Sequence, residues 1–396
     1  MSITQDARLQ PEPAAATSLT GLGQADFGHP AAWVVAFFLI VMPLIANGFF
    51  LIEIFGTTLI LGIVALSLMF LAGYGGMVSL MQLTIAGLAG YMTAVLGASG
   101  NANISLGWPW WLATPMALAL ATLFGTVGGA LAVRTEGIYT IMITLAIASA
   151  FYYFTNQNWV IFNGHTGINS IVTPHFWGVD WRADVPFYYF TNQNWVIFNG
   201  HTGINSVVTP HFWGIDWRAD VPFYYVILVV AALCFGAVHY LSRAPFGLAL
   251  QGVRDNPRRM AALGFNVNAH RIAAYAFASF VAALGGVLQV WNYRQISPGS
   301  VGVERAIDIL IIAVVGGVTR PIGPFVGALI FVLLRTFTLD FLVAIGLDGN
   351  RFRLLIGLGF LAIVLFSPDG IVGLWERWRA RAGSERSQPD GVHGHG

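Results

Sequence analysis

The chain has 396 residues, 56% hydrophobic and only 9% charged, with a mean hydropathy of +0.70. Soluble domains carry about 25% charged residues, so this is the composition of a polytopic membrane protein. The net charge of +1 leaves no electrostatic footprint for nucleic acid, and all 19 basic residues are arginine. Without lysine the chain has neither a Walker A phosphate loop nor a Schiff-base nucleophile.

Residues 1–30 are rich in Ala, Gly, Pro and Gln, with Arg8 their one arginine. They lack a basic segment joined to a short apolar core and read as a disordered cytoplasmic tail. A span needs about 20 apolar residues. Apolar runs at 31–52, 54–74, 77–97, 110–133 and 138–154 predict the first five spans. Runs at 223–241, 272–291, 305–318, 325–339 and 352–366 predict the rest. The expected fold is all-α, a polytopic integral membrane bundle of about ten transmembrane or re-entrant helices, the third and eighth runs being re-entrant candidates. Trp108, Trp110 and Trp111 place the entry to the fourth span at a membrane interface. Cys234 lies mid-span and has no partner for a disulfide; residues 376–396 form a second tail. His393 and His395 there are too few to close a metal site.

Between the sixth and seventh spans lies the longest polar interruption of the second half, RAPFGLALQGVRDNPRRMAALGFNVNAHR, residues 243–271. Arg243, Arg254, Arg258, Arg259 and Arg271 crowd there against one acid, Asp255. The positive-inside bias holds such a loop in the cytoplasm. That choice puts Arg134, Arg320 and the cluster Arg377, Arg379 and Arg381 inside, residues 155–222 outside, and both termini in the cytoplasm. Arg182, Arg218, Arg294, Arg351 and Arg353 then fall outside, so the densest cluster decides. Within the loop, Phe246–Val253 and Pro257–Leu263 predict two short helices, broken by Asn256-Pro257 and stopped by Gly264. They read as a docking surface centred on Arg254, Asp255, Asn256 and Gly264.

Two further segments carry information. Residues 73–96 read GYGGMVSLMQLTIAGLAGYMTAVL. Glycines this dense let membrane helices approach closely or break. Broken backbone also offers amide and carbonyl groups to a zwitterionic solute. Gly73, Gly76, Ser79, Gln82, Thr84 and Gly87 are therefore candidates for a translocation pathway or for helix breaks, with helix packing alone as the other reading. Residues 296–335 contain ISPGSVGVERAID and GGVTRPIGPFVGA, in which Gly323 and Gly327 make a small-xxx-small packing face. Asp308 and Arg335 fall near or within apolar runs, where charges are costly and raise a functional hypothesis. Glu304, Arg305 and Asp308 also suit the hydrated outer end of a span.

The loop pattern R-x-P-F-G-x-A-L-x-x-V-R-D-N, with Gly264 following, resembles the cytoplasmic coupling loop of the branched-chain amino acid ABC transporter permeases of the LivM/LivH type. The GYGG–SL segment, the ISP–GG–GP–GA segment and the closing F-S-P-D-G-I-V-G-L resemble the same family, in order, over most of 54–154 and 223–375. Met81 and Gln82 depart from its usual Gly-His or Gly-Gln pair. The resemblance implies an inner-membrane importer subunit for branched-chain or other hydrophobic or small amino acids. It implies a second permease, two ATP-binding subunits that hydrolyse the ATP, and an external solute-binding protein, with no cofactor and no enzymatic activity in this chain. A permease for urea, amides or another small solute is the alternative. A secondary transporter would have no use for a coupling loop, and an intramembrane enzyme would need a catalytic cluster that the spans lack.

Residues 151–186 and 187–222 are tandem copies differing only at Ile171/Val207 and Val179/Ile215. His165, His175, His201 and His211 recur through that copying, so their spacing has little weight as a metal site. Either a recent duplication or an artefact of sequence determination is a more economical source than a selected new domain.

Overall fold

A computed structural model describes residues 30–97, 105–135, 137–158, 168–169, 175–176, 179–180 and 220–344. The expected tenth span, both tails and most of the duplicated loop lie outside the described residues. The other expected spans all fall on helices: α1 (Pro30–Ile45), α2 (Phe50–Tyr74), α3 (Gln82–Leu96), α4 (Trp110–Ala132), α5 (Ile138–Gln157) and α6 (Asp220–Arg243). After the short loop helices α7 (Pro245–Asp255) and α8 (Pro257–Ala262) come α9 (Val267–Tyr293), α10 (Val303–Gly316) and α11 (Gly323–Ala344).

Five of these, α2, α4, α5, α6 and α9, are long and apolar enough to cross a membrane. Their outward faces are apolar as well: Leu123, Val127, Leu131, Met142, Val229 and Leu233 are exposed. A folded soluble protein rarely shows so much contiguous apolar surface, whereas lipid solvates it.

Two boundaries depart from the sequence reading. The first pair of spans is divided at Ala46–Asn47 and not near residue 53, because the chain leaves the helix at Ala46 and Asn47 while apolar Phe50–Ile52 already belong to α2. The third segment is helical only from Gln82; residues 76–81 leave the helix. With 15 residues, α3 is about 22 Å long at 1.5 Å per residue, short of a hydrocarbon core of about 30 Å. The 14-residue α10 is shorter still.

The short helix α3 sits at the centre. Every residue from Gln82 to Tyr91 is buried, wrapped by α2, α4, α9 and α10. Apolar helices in lipid gain little from hydrophobic contact with one another, so they associate through close backbone approach at small residues. A Cβ on Gly286 of α9 would lie 1.9 Å from the Ala86 carbonyl of α3. Gly125 and Gly129 of α4 face Ser279 and Tyr275 of α9 in the same way. The expected packing face on α11 is present, Gly323 and Gly327 backing onto Gly316 and Ile312 of α10.

The direction of the chain follows from long-range contacts. Thr57 near the start of α2 meets the Tyr293 hydroxyl at the end of α9, 3.1 Å apart. At its other end α2 delivers Tyr74 close to Ser242, Arg243 and Arg320. The basic loop and the α10–α11 turn therefore share one end of the bundle, as the charge bias requires.

The first copy of the duplicated segment is built into this frame. It supplies Phe151–Gln157 to α5, and its Ile168 and Asn169 pair antiparallel with Ile296 and Gln295. From the second copy, Asp220–Pro222 open α6, yet Asp184-Val185-Pro186 would present the same residues to Phe223. Loop closure costs only about 0.6 kcal/mol per doubling of length. Removing residues 187–222 is expected to leave insertion, the direction of every span and solute uptake unchanged. Reporter fusions and an uptake assay check this; a stable, correctly inserted but inactive deletion would mean that the doubled loop has acquired a role.

Candidate functional site

The site begins where α2 stops. Gly76, at φ +65°, turns the chain away from the helix, and residues 76–79 take no regular secondary structure. The carbonyls left open at the end of a helix need donors. The Met77 N–H returns to the Leu71 carbonyl at 3.0 Å, and the Arg254 guanidinium, reaching up from α7, donates to the Gly73 carbonyl. Gly73 has no room for a side chain, since a Cβ would lie 2.3 Å from the Val318 carbonyl oxygen. Higher in the bundle the Leu80 N–H donates to Thr144 Oγ1 of α5 at 3.2 Å, and α3 begins two residues later.

The polar candidates beyond the break are all buried. Ser79, Gln82 and Thr84 are each at most 1% exposed. Ser67 of α2 meets Gln82, its Oγ 3.0 Å from Gln82 Oε1 and 2.6 Å from the Val64 carbonyl, so one proton is shared between two acceptors. Tyr275 of α9 brings its hydroxyl beside Ser79. Gln82 Nε2, Thr84 Oγ1, Ser79 Oγ and Tyr275 Oη have no well-formed hydrogen bond, although leaving a buried polar group unsatisfied costs about 1–3 kcal/mol. Every fully buried polar side chain among the described residues is a hydroxyl or an amide, and none is charged.

A second break packs against α3 further along. After α9 ends at Arg294, in the left-handed region at φ 51°, the ISPGSVG segment folds back against α3. Val301 lies on Gly87, and Ile296 with Val290 lies on Gly90. Glu304 and Arg305 are exposed on the first turn of α10, while Asp308 is half-buried. Arg335 is half-buried on α11, close enough to influence Tyr293.

The basic loop lies beneath the first break. Pro245 and Pro257 occupy the opening turns of α7 and α8, where a missing N–H costs nothing. Asn256 caps α8 by accepting the Arg259 N–H at 2.9 Å. The loop then turns at Gly264, φ +90°, with Phe265 N–H returning to the Met260 carbonyl at 3.1 Å, the Schellman arrangement. Both loop helices match the expected pair to within two residues at each end. Buried Leu250 and Val253 fix α7 against the bundle, and His270 stacks on Phe246 to fasten the loop to α9.

The four loop candidates separate. Asp255, Asn256 and Gly264 are exposed, but Arg254 is turned inward. The sequence reading missed the apolar side chains that share the exposed face: Leu263 is 67% exposed, Leu248 59% and Phe265 40%. It also missed Ser67 and Tyr275, lone polar groups in apolar runs whose meaning depends on partners distant in the sequence.

A buried short helix with two chain breaks against it, within long apolar helices carrying an ordered basic loop at one end, is the architecture of a multi-pass membrane protein. Residues 50–364 match the family described as branched-chain amino acid transport system, permease component, and the chain belongs to it. Its relatives include the high-affinity branched-chain amino acid transport system permease protein LivM of Escherichia coli K12, 21% identical over 78% of this chain and 65% of that protein. The Salmonella typhimurium protein of the same name is 22% identical over the same shares. A probable LivM of Methanocaldococcus jannaschii is 24% identical over 37% of this chain and 45% of its own length. The chain thus spans just under two thirds of the enterobacterial relatives, and no solved structure matches it.

Proposed function

We propose that this chain is the transmembrane permease subunit of an ATP-binding-cassette importer in a cell inner membrane, with residues 243–271 and both termini in the cytoplasm. It pairs with a second permease, two ATP-binding subunits and an external solute-binding protein, and carries branched-chain or other small hydrophobic amino acids. The observation that carries this reading is that loop helix α7 lies directly under the break at Gly73–Met81, with exposed α8 beside it, and that the break leads to buried Ser79, Gln82 and Thr84. Gly73, Gly76, Ser79, Gln82, Thr84 and Gly87 border the route. An uncharged interior suits a zwitterion without net charge, held through amide and hydroxyl groups. It suits urea or other amides equally, and this is the second reading.

The loop's assignment has a direct test. Single cysteines replacing Arg258 or Ala262, both exposed, are compared in a chain whose buried Cys234 is changed to Ala. A membrane-impermeant maleimide is expected to label them in inside-out vesicles and not in intact cells, with protection once the ATP-binding subunit is added. Labelling from outside would reverse the orientation, and labelling without protection would remove the loop from the docking surface. Competition of leucine uptake by excess valine, and not by urea, decides between the two solutes.

A further inference from the structure

The arginines of the basic loop are not equivalent. Arg258 and Arg259 stand in solvent on α8. The Arg254 side chain is 23% exposed, and all three guanidinium nitrogens are engaged. Nε and Nη2 lie 2.9 and 2.8 Å from Asp255 Oδ1, while Nη1 donates to the Gly73 carbonyl. Its aliphatic stem covers Gly76, where a Cβ would come within 2.5 Å of Arg254 Cγ. One side chain therefore holds the α2 side of the break at two points, the residue where α2 loses its helical partners and the residue that reverses the chain.

The break is also a junction. Gly73 abuts the Val318 carbonyl of the α10–α11 turn, and Tyr74 lies beside Ser242 at the end of α6. Past the break, Leu80 is tied to α5 and Gln82 to α2. A displacement of α7 acts directly on the Gly73 carbonyl through Arg254, whose planar fork fixes direction as well as distance, and from there the chain itself runs through the break to the start of α3.

We infer that Arg254 is a positioning residue, a strut that transmits movement of the loop helices to the Gly73–Met81 break and so to the buried end of α3. This rests on the importer reading, under which the loop receives the motion of the ATP-binding subunit. Arg254 then acts in coupling and not in docking, which is left to the exposed face of α8 and Leu263–Phe265. Asp255 serves by holding the guanidinium fork in plane.

The test separates docking, coupling and local order. Arg254→Gln, Arg254→Lys and Gly76→Ala are each assembled with the partner subunits. Arg254→Gln and Gly76→Ala are expected to keep the ATP-binding subunit bound and to keep hydrolysing ATP, while solute moved per ATP falls about tenfold. Arg254→Lys, retaining a cation and a donor, recovers part of that loss. On the permease alone, a cysteine replacing half-buried Val78 is expected to react faster with maleimide once Arg254 is Gln. That reading needs no partner, so it stands or falls separately from the importer assignment. If Arg254→Gln does not accumulate, Gly76→Ala reaches the same contact from the other side. Unchanged transport per ATP in both variants, loss of the ATP-binding subunit from Arg254→Gln, or an unaltered Val78→Cys rate would each overturn the strut.

Discussion

Gly87→Leu is expected to abolish uptake, whereas Gly236→Leu should leave it intact. Both glycines lie in apolar helices and would look alike to a composition argument. A Cβ on Gly87 would sit 1.9 Å from Val301 Cγ1, inside the contact that seats the ISPGSVG segment on α3. Nothing lies within 4 Å of a Cβ on Gly236. Overpacking a well-filled interior costs about 1–3 kcal/mol in soluble cores, and here relief requires lifting the whole 295–302 segment off α3. Compensation sharpens the test. Gly87→Ala alone should impair uptake, and adding Val301→Ala should restore part of it, with a coupling of about 0.5–3 kcal/mol between the two changes. Uptake is read in a strain without its own system, with membrane-protein yield measured in parallel. Wild-type rates for Gly87→Leu would mean that Gly87 lines neither a pathway nor a packing seam.

Gly264→Pro should have an effect of similar size through a different failure. The loop turns there at φ +90°, and proline is fixed near −65°. The substitution destroys the turn and its Phe265–Met260 hydrogen bond, so Leu263 and Phe265 no longer project together. The permease should insert normally, since α9 and the rest of the bundle do not depend on that turn, but the ATP-binding subunit should no longer copurify. Leu263→Asp with Phe265→Asp should give the same result with the turn preserved, because buried apolar anchors dominate most interfaces. If both variants still bind the ATP-binding subunit and transport normally, residues 243–271 are not its contact.

How much of this was legible depends on where the determining forces act. The helices of the bundle could be located because lipid demands long apolar runs, and the loop helices because Pro, Asn and Gly punctuate them locally. The start of α3 was not legible. Met77–Met81 are apolar enough to extend a helix, and what keeps them out of one is Gly76 beneath them and Thr144 on a helix distant in sequence. The inward turn of Arg254 was hidden for a similar reason. In a basic loop it looks like one more topology-setting charge, and only the folded chain brings the open carbonyl of Gly73 within its reach. The division of the first two helices at Asn47 was visible as a turn signal, but the apolar count continued past it. The buried polar residues were half legible: Ser79, Gln82 and Thr84 come from one stretch, while Ser67 and Tyr275 reach Gln82 and Ser79 from other helices.

The central claim is that this chain forms part of an ATP-driven route for a small amino acid and supplies no chemistry itself. Radiolabelled leucine accumulation in proteoliposomes tests it most directly, with a solute-binding protein outside and ATP inside. The account predicts concentrative uptake with the second permease and both ATP-binding subunits present. It predicts neither ATP hydrolysis nor concentration by this lysine-free chain alone. ATPase activity in the isolated chain, or leucine accumulation by it on an ion gradient without ATP, would contradict it.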